Sequence, residues 1–377
     1  MDFINAIWSN GVAFVFVLSV LVFVHELGHY LVARSAGVRV DVFSIGFGKE
    51  IYGWTDKVGT RWKISWIPLG GYVKFFGDAD EASSKSDDLD KMTPEERAEC
   101  FQHKPLGSRM AVVVAGPLAN FAFAVLVMAV LFASFGRPFT PPVVGETVPG
   151  SAAEEAGFLP GDRFVSINGD IIERFEDIQQ FVMTNAGTAM QVGVERNSNQ
   201  LILSVTPRSK KMTDRFGNEQ NIGFLGIQRS GMEFVEMDIL PSIGYAFIET
   251  GVIIKGTLKA VGEMIAGSRG LEEMGGPVMI AKISGDVAED GIVPLLRLMA
   301  ILSISLGLIN LFPIPMLDGG HLLFYIIEGL RGRPLGDRIQ EYGMRMGMAL
   351  VLTLMVVVTW NDLRSLQVVK FVTGLFS

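Results

Sequence analysis

Apolar residues run along this chain in long blocks. Four of them approach the roughly 20 residues that a bilayer's hydrocarbon core requires. They lie at about 8–33, about 110–135, about 299–327 and about 342–360. The second, MAVVVAGPLANFAFAVLVMAVLFASF, carries no charge, and the fourth is cleanest at MGMALVLTLMVVVTW. A further stretch at about 240–265 has helical character but carries Glu249, Lys255, Lys259 and Glu263. Those charges predict an amphipathic helix at the membrane surface rather than a span. Between the first two blocks the pattern changes period. VDVFSIGFGKEIYGWTDKVGTRWKISWIPLGGYVKFFG alternates and is rich in β-branched and aromatic residues, which predicts strands with a hairpin turn near Asp56–Gly59. The following DADEASSKSDDLDKMTPEERAEC is polar and acidic and predicts a mobile surface segment with a short helix near Pro94. Residues about 141–230 set turn signals around short apolar strands, the pattern of a compact β-rich module.

These elements predict a polytopic α-helical membrane protein. It has about four transmembrane helices, a membrane-associated β-hairpin region and an inserted β-rich domain. The divisions fall at 1–135, 136–235, 236–298 and 299–377. Composition agrees, since 49% hydrophobic and 19% charged residues are too apolar a mixture for an ordinary soluble protein. The net charge of -8 argues against nucleic acid as a partner. The single Cys100 cannot form an internal disulfide. Residues 1–24 contain no Lys or Arg, so the basic start of a removable signal peptide is not expected. Arg34 and Arg39 follow the first block, Lys104 and Arg109 precede the second, and Arg331, Arg333 and Arg338 separate the third from the fourth. By the positive-inside rule both termini and the 136–298 region face outward, which in a bacterium is the periplasm.

The first block contains FVFVLSVLVFVHELGHYLVARSAG. HExxH on a helix sets two imidazoles on one face, able to share a zinc ion, with a glutamate between them able to take a proton from the attacking water. In a soluble sequence such a match is often accidental. Inside an apolar span, ionisable residues are rare and mark function by default. The pattern therefore assigns His25 and His29 to a metal and Glu26 to acid–base work. A catalytic zinc wants a third protein ligand. The chain has only two other histidines, His103 in a polar loop and His321, and one acid deep in another block, Asp318 in IPMLDGGHLL. The first and third blocks run in the same direction, with the histidines 17–21 residues into one and Asp318 about 19 into the other. At 1.5 Å per residue the three reach similar depth. The alternative for Asp318 is a turn residue at a span end, as nearby Pro313, Pro315, Gly319 and Gly320 allow. His321 is either a supporting residue or an ordinary interfacial histidine. The apolar strand-like RWKISWIPLGGYVKFF is a candidate edge for holding an extended peptide, or an amphipathic hairpin at the interface. A metal-binding transporter and a membrane-anchored scaffold without proteolysis are the competing classes. Glu26 discriminates, because a transporter needs ligands but no general base.

HELGH, LDGGHL and PGSAAEEAGFLPGDRFVSINGD together resemble the site-2 protease family, and most of all its bacterial members with periplasmic PDZ domains, regulators of the sigma-E type. GPLANF at 116–121, GGPVMIAK at 275–282 and LINLFPIPMLDGGHLL at 308–323 extend the likeness over nearly the whole chain. The resemblance implies an intramembrane zinc metalloprotease of the bacterial inner membrane. Zn2+ would be held by His25, His29 and Asp318, with Glu26 as the catalytic acid/base. It implies that Asn310 helps hold the substrate backbone or the site, and that the membrane-associated hairpin region is 42–76, including Gly70 and Gly71. The substrates implied are single-pass transmembrane proteins such as an anti-sigma factor, already shortened by an upstream site-1 protease, and also remnant signal peptides. The PDZ domain would act as a size filter. Many such relatives carry two PDZ domains in tandem, whereas 141–230 accommodates one.

Overall fold

The computed structural model describes residues 2–78, 92–213, 219–267, 270 and 275–365. The chain divides into two compact units, one formed by Met1–Val130 with Ile243–Ser377 and the other by Leu131–Ser242. Most of the acidic segment expected to be mobile, 79–91, lies outside the described residues.

The first unit opens with helix α1 (Asp2–Ser35), followed by strands β1 (Val40–Thr55) and β2 (Arg61–Phe75). The turn between them is built by Asp56, whose Oδ1 accepts from the Val58 and Thr60 amides at 2.9 Å, while Gly59 takes φ +91°. Both strands are long and bent, so they pair in more than one place. Residues 42–45 pair with 71–74 on one side and with 61–64 on the other, and 50–55 pair with 61–65. The outcome is a curled sheet with 71–75 along one edge. Among the described residues no further strand pairs with that edge. Phe43, stacked on Trp62 at 4.3 Å, and buried Val40, Val73 and Phe75 fasten the sheet to α1. A short helix α2 (Pro94–Glu99) starts at a Thr93–Glu96 capping box, where the sequence predicts one. Helix α3 (Leu106–Phe135) follows.

The second unit is the β-rich module. It holds β3 (Arg137–Phe139), β4 (Val144–Thr147), α4 (Ala152–Glu155), β5 (Arg163–Ile167), β6 (Asp170–Ile171), α5 (Phe175–Thr184), β7 (Met190–Arg196), β8 (Asn199–Val205), β9 (Arg208–Thr213), β10 (Glu219–Phe224), β11 (Ile227–Arg229) and β12 (Glu233–Val235). A four-stranded sheet in the order β6-β5-β7-β8 packs Phe164, Ile167, Val192 and Val194 against Phe175, Ile178 and Val182 of α5. Apolar residues alternate along β7 with exposed ones, the period-2 pattern of a sheet with one buried face.

The chain returns to the first unit through α6 (Ile239–Ile265), α7 (Pro277–Glu289), α8 (Ile292–Asn310), α9 (Asp318–Arg331) and α10 (Asp337–Ser365). Among the described residues five helices are long and apolar enough to cross a membrane: α1, α3, α6, α8 and α10. The sequence expectation was about four, because the charges of α6 were read as excluding it. The third apolar block is not one helix. It divides at 311–317, where Pro313 and Pro315 lack amide protons and Met316 takes φ +87°. Val17 and Leu21 of α1 pack with Leu295 and Met299 of α8, so these two helices run side by side. Helix α7 is tied down by Asp362 of α10, whose carboxylate accepts from the amides of Gly276, Val278 and Met279 at 2.9, 3.1 and 3.0 Å. At the other end, Arg109 of α3 donates to Glu328 of α9 at 2.5 Å.

Candidate metal centre

His25 and His29 stand one turn apart on the buried face of α1, which puts their rings in contact, with Nε2 atoms 3.2 Å apart. Close packing of α3 makes room for them. Gly28 of α1 lies against the Ala115 carbonyl, and at Gly116 a Cβ would run into His29 Nε2 and come within 2.9 Å of His25 Cε1. His29 Nδ1 donates to the Val112 carbonyl at 2.8 Å, so its Nε2 carries a lone pair facing inward. Asp318 enters from α9 as that helix's first residue. Gly319 and Gly320 let the turn close, because Cβ atoms there would strike the carbonyls of Leu311, Phe312 and Ile314. The Asp318 oxygens then lie 3.1 Å from His25 Nε2 and 3.5 Å from His29 Nε2.

These donors fit zinc. Ligand atoms about 2.0–2.1 Å from a tetrahedral ion stand roughly 3.3 Å from each other. The separations of 3.2, 3.1 and 3.5 Å bracket that value. Asp318 Oδ2 is buried and, despite its closeness to His25, makes no hydrogen bond. Three converging acceptors with an unpartnered buried carboxylate oxygen make a cation cradle.

All seven residues singled out in the sequence line one cavity of about 580 Å3: His25, Glu26, His29, Gly70, Gly71, Asn310 and Asp318. Glu26 faces β2, where a Cβ on Gly71 would sit 3.4 Å from its Cγ, and the Val73 backbone hydrogen-bonds it. Gly70 takes φ +114° beside the Phe47 ring, a conformation suited to glycine, and lets β2 curve past the site. Asn310, the last residue of α8, and His321 line the same cavity. Sequence reasoning reads Gly116-Pro117 as compatible with a cavity but gives Val112 and Asn120 no role at the site; Val112, Gly116 and Asn120 share one face of α3 at four-residue spacing. The signal available was Asn120 itself, a polar residue inside an uncharged apolar block, which is fully buried.

The sequence profile of Peptidase family M50 matches residues 13–354. The chain belongs to that family. This M50 peptidase is 50% identical over 361 residues to a protein of Agrobacterium fabrum named "Putative zinc metalloprotease", covering 94% of this chain and 96% of that one. It is 39% identical over 390 residues to "Metalloprotease MmpA" of Caulobacter vibrioides, covering 97% and 98% of the two chains. Its reaction class is accordingly that of a metalloprotease and its metal is zinc. A PDZ domain of an SdrC-like protein from Listeria monocytogenes aligns with 24% of the M50 peptidase and 88% of its own length at 12% identity, with a TM-score of 0.19, too low to bear on the fold.

Proposed function

We propose that this chain cleaves single-pass membrane proteins within or beside their transmembrane segments, using zinc held by His25, His29 and Asp318. The observation that carries this reading is the tetrahedral spacing of the three donors, two of them on a helix long enough to cross a bilayer and the third at the start of α9, with Glu26 beside them. Zinc, when bound, polarises a carbonyl and brings the pKa of a water to about 7. Glu26 takes the proton of the attacking water and delivers it to the leaving amine. A helical substrate hides its backbone, so it must be drawn out first. The 71–75 edge of the sheet, beside Glu26, is the candidate for adding an extended segment as a further strand. Gly70 and Gly71 keep side chains out of its path, and Asn310, which lines the same cavity, offers its amide to the substrate backbone.

The membrane path follows from the same geometry. Residues 17–21 of α1 meet 295–299 of α8, and 25–29 meet 318, so the two helices point the same way. Between them α3 crosses once in the opposite sense. A second crossing by α6 would invert α8, since α7, with 13 residues, is too short to restore the direction. Helix α6 therefore lies along the surface, and α1, α3, α8 and α10 span. Asn10 of α1 packs at Gly285 of α7, and Asp362 of α10 caps α7, which gathers these ends on one face. Arg34, Arg39 and Arg109 mark the other as cytoplasmic. The β-rich unit then stands in the periplasm of a bacterial inner membrane, as a single PDZ module limiting access to substrates that an upstream protease has trimmed. An anti-sigma factor or a remnant signal peptide has that form.

The test is cleavage of a tagged single-pass substrate lacking its outer domain, by wild type and by Glu26→Gln, with zinc measured on both. The expected result is one zinc per chain in each and cleavage by wild type alone. Zinc on both proteins with no cleavage by either would overturn the reading.

A further inference from the structure

Asn120 belongs to no part of the mechanism above, yet it is the most deeply buried polar side chain beside the metal cradle, with no exposed surface. Its amide lies 3.1 Å from His25 Nδ1. As placed, the nitrogen Nδ2 faces the ring and the oxygen Oδ1 is buried without a partner. Nitrogen and oxygen of an amide are distinguished only by the hydrogen bonds they make. An Nδ2 donor would require His25 Nδ1 to accept and its proton to sit on Nε2. That proton would point at His29 Nε2 and Asp318, where the cation belongs. A ligating Nε2 must be bare, so the proton belongs on Nδ1, and Nδ1–H against an NH2 group would set two donors face to face. Turning the amide by half a revolution removes the clash and gives Oδ1 its partner.

We infer that Asn120 is a positioning residue for the metal: its Oδ1 accepts from His25 Nδ1 and fixes the tautomer and the ring plane of that ligand. The inference rests on the zinc-ligand reading of His25. It makes the two imidazoles equivalent, because His29 already donates its Nδ1–H to the Val112 carbonyl. Both acceptors come from one face of α3, eight residues apart, with Gly116 between them leaving room for the rings. Metal-ligating histidines commonly donate their second nitrogen to such an acceptor. The position of Asn120 is itself fixed from behind. Ser303 of α8 donates to its main-chain carbonyl at 2.9 Å, and Gly307 packs against its Cβ.

The test uses the full chain in detergent and measures zinc affinity by competition with a chromophoric chelator. Asn120→Leu, which fills the space without an acceptor, lowers affinity about 10–100-fold. Asn120→Asp, which can only accept, stays within about threefold of wild type. Equal affinity of the Leu variant and wild type, or a fall in the Asp variant as deep as in the Leu variant, would overturn the inference. Should the Leu variant not fold, 15N-histidine NMR of zinc-loaded wild type decides, with only four histidines to assign. A proton on His25 Nδ1 is expected, and one on Nε2 would sink the idea. Wild type that binds no zinc at all would bring down the ligand reading and this inference with it. Normal zinc binding lost in His25→Ala, with no response in the Asn120 variants, would bring down this inference alone.

Discussion

Gly116→Ala tests the packing of the metal centre with a single methyl group. The added Cβ would stand 2.6 Å from His29 Cε1 and 2.9 Å from His25 Cε1. Carbon atoms rest comfortably at about 3.5–4.0 Å, so the rings or α3 must retreat by roughly 1 Å. Interior packing has little slack for that. Metal–ligand distances tolerate only about 0.2 Å, and a misplacement of about 1 Å costs on the order of 100-fold in rate. We expect zinc affinity to fall at least about tenfold and cleavage on the order of 100-fold. Helix propensity alone would make the same substitution stabilising by roughly 0.5–1 kcal/mol. Gly107→Ala in the same helix is the control, since a Cβ there meets nothing. The assay is zinc competition and substrate cleavage on both variants, with thermal unfolding in detergent to confirm the fold. A Gly116→Ala protein that binds zinc and cleaves within about threefold of wild type would refute the close approach of α3 to the histidines.

Asp362→Ala leaves three backbone amides at the start of α7 without their acceptor and should cost about 2–4 kcal/mol, read by thermal unfolding in detergent; a loss below about 0.5 kcal/mol would show that α10 does not hold α7. Arg109 and Glu328 are 13% and 16% exposed, so a double-mutant cycle with Arg109→Met and Glu328→Leu should give a coupling of about 1–3 kcal/mol, and additive losses would refute the clamp. In the β-rich unit, burial alone would raise the Asp162 carboxyl. The Arg196 fork at 2.6 and 2.7 Å and the Leu159 amide outweigh it and hold the group below the usual carboxylate range. A depressed folded-state pKa contributes stability that is fully present above the unfolded value of about 3.9 and is lost as pH falls through the folded one. Wild type should therefore lose stability below about pH 4, while Arg196→Met should be less stable at pH 7 and show a shallower acid slope; parallel curves would refute the pairing.

The candidate metal centre was legible because chemistry and burial conflict so sharply in HELGH. Two histidines and a glutamate in an apolar run need a reason, and Asp318 was the one acid at matching depth. The turn at Asp56–Gly59 and the helix at Pro94 were legible as local chemistry, an Asx turn and a capping box. The start of α8 was not. The apolar block reads as starting at about 299, yet the helix begins at Ile292, and Leu295 and Met299 find partners in Val17 and Leu21. The break at 311–317 was marked by its prolines, but its strained Met316 and its glycines pressed on carbonyls belong to tertiary packing. The same holds for Val112. A main-chain carbonyl carries no signature until α3 is laid against α1, whereas Gly116-Pro117 was readable as a place for a cavity, though not as the gap that admits the two rings. The double use of 42–45, paired on both sides, likewise depends on strand curvature that alternation does not encode.

The level of the metal cradle along α1 also bears on what becomes of the products. The membrane-length part of α1 runs over Asn10–Ser35, so His25 lies 15 residues from its beginning and His29 6 residues from its end. Under the proposed cleavage, at 1.5 Å per residue, the cut would fall roughly 9–15 Å from the Arg34 side. A substrate helix lying alongside would then be divided unequally. One piece would keep about 15–19 apolar residues, close to what holds a segment in hydrocarbon, and the other about 6–10, far too few. The short piece would partition into water on the Arg34 side and diffuse away, while the long one would stay dissolved in lipid. Two phases would separate the new amine from the new carboxylate, so religation would have no encounter to proceed from, and the proposed reaction would be made one-way by solubility as well as by the chemistry of the bond.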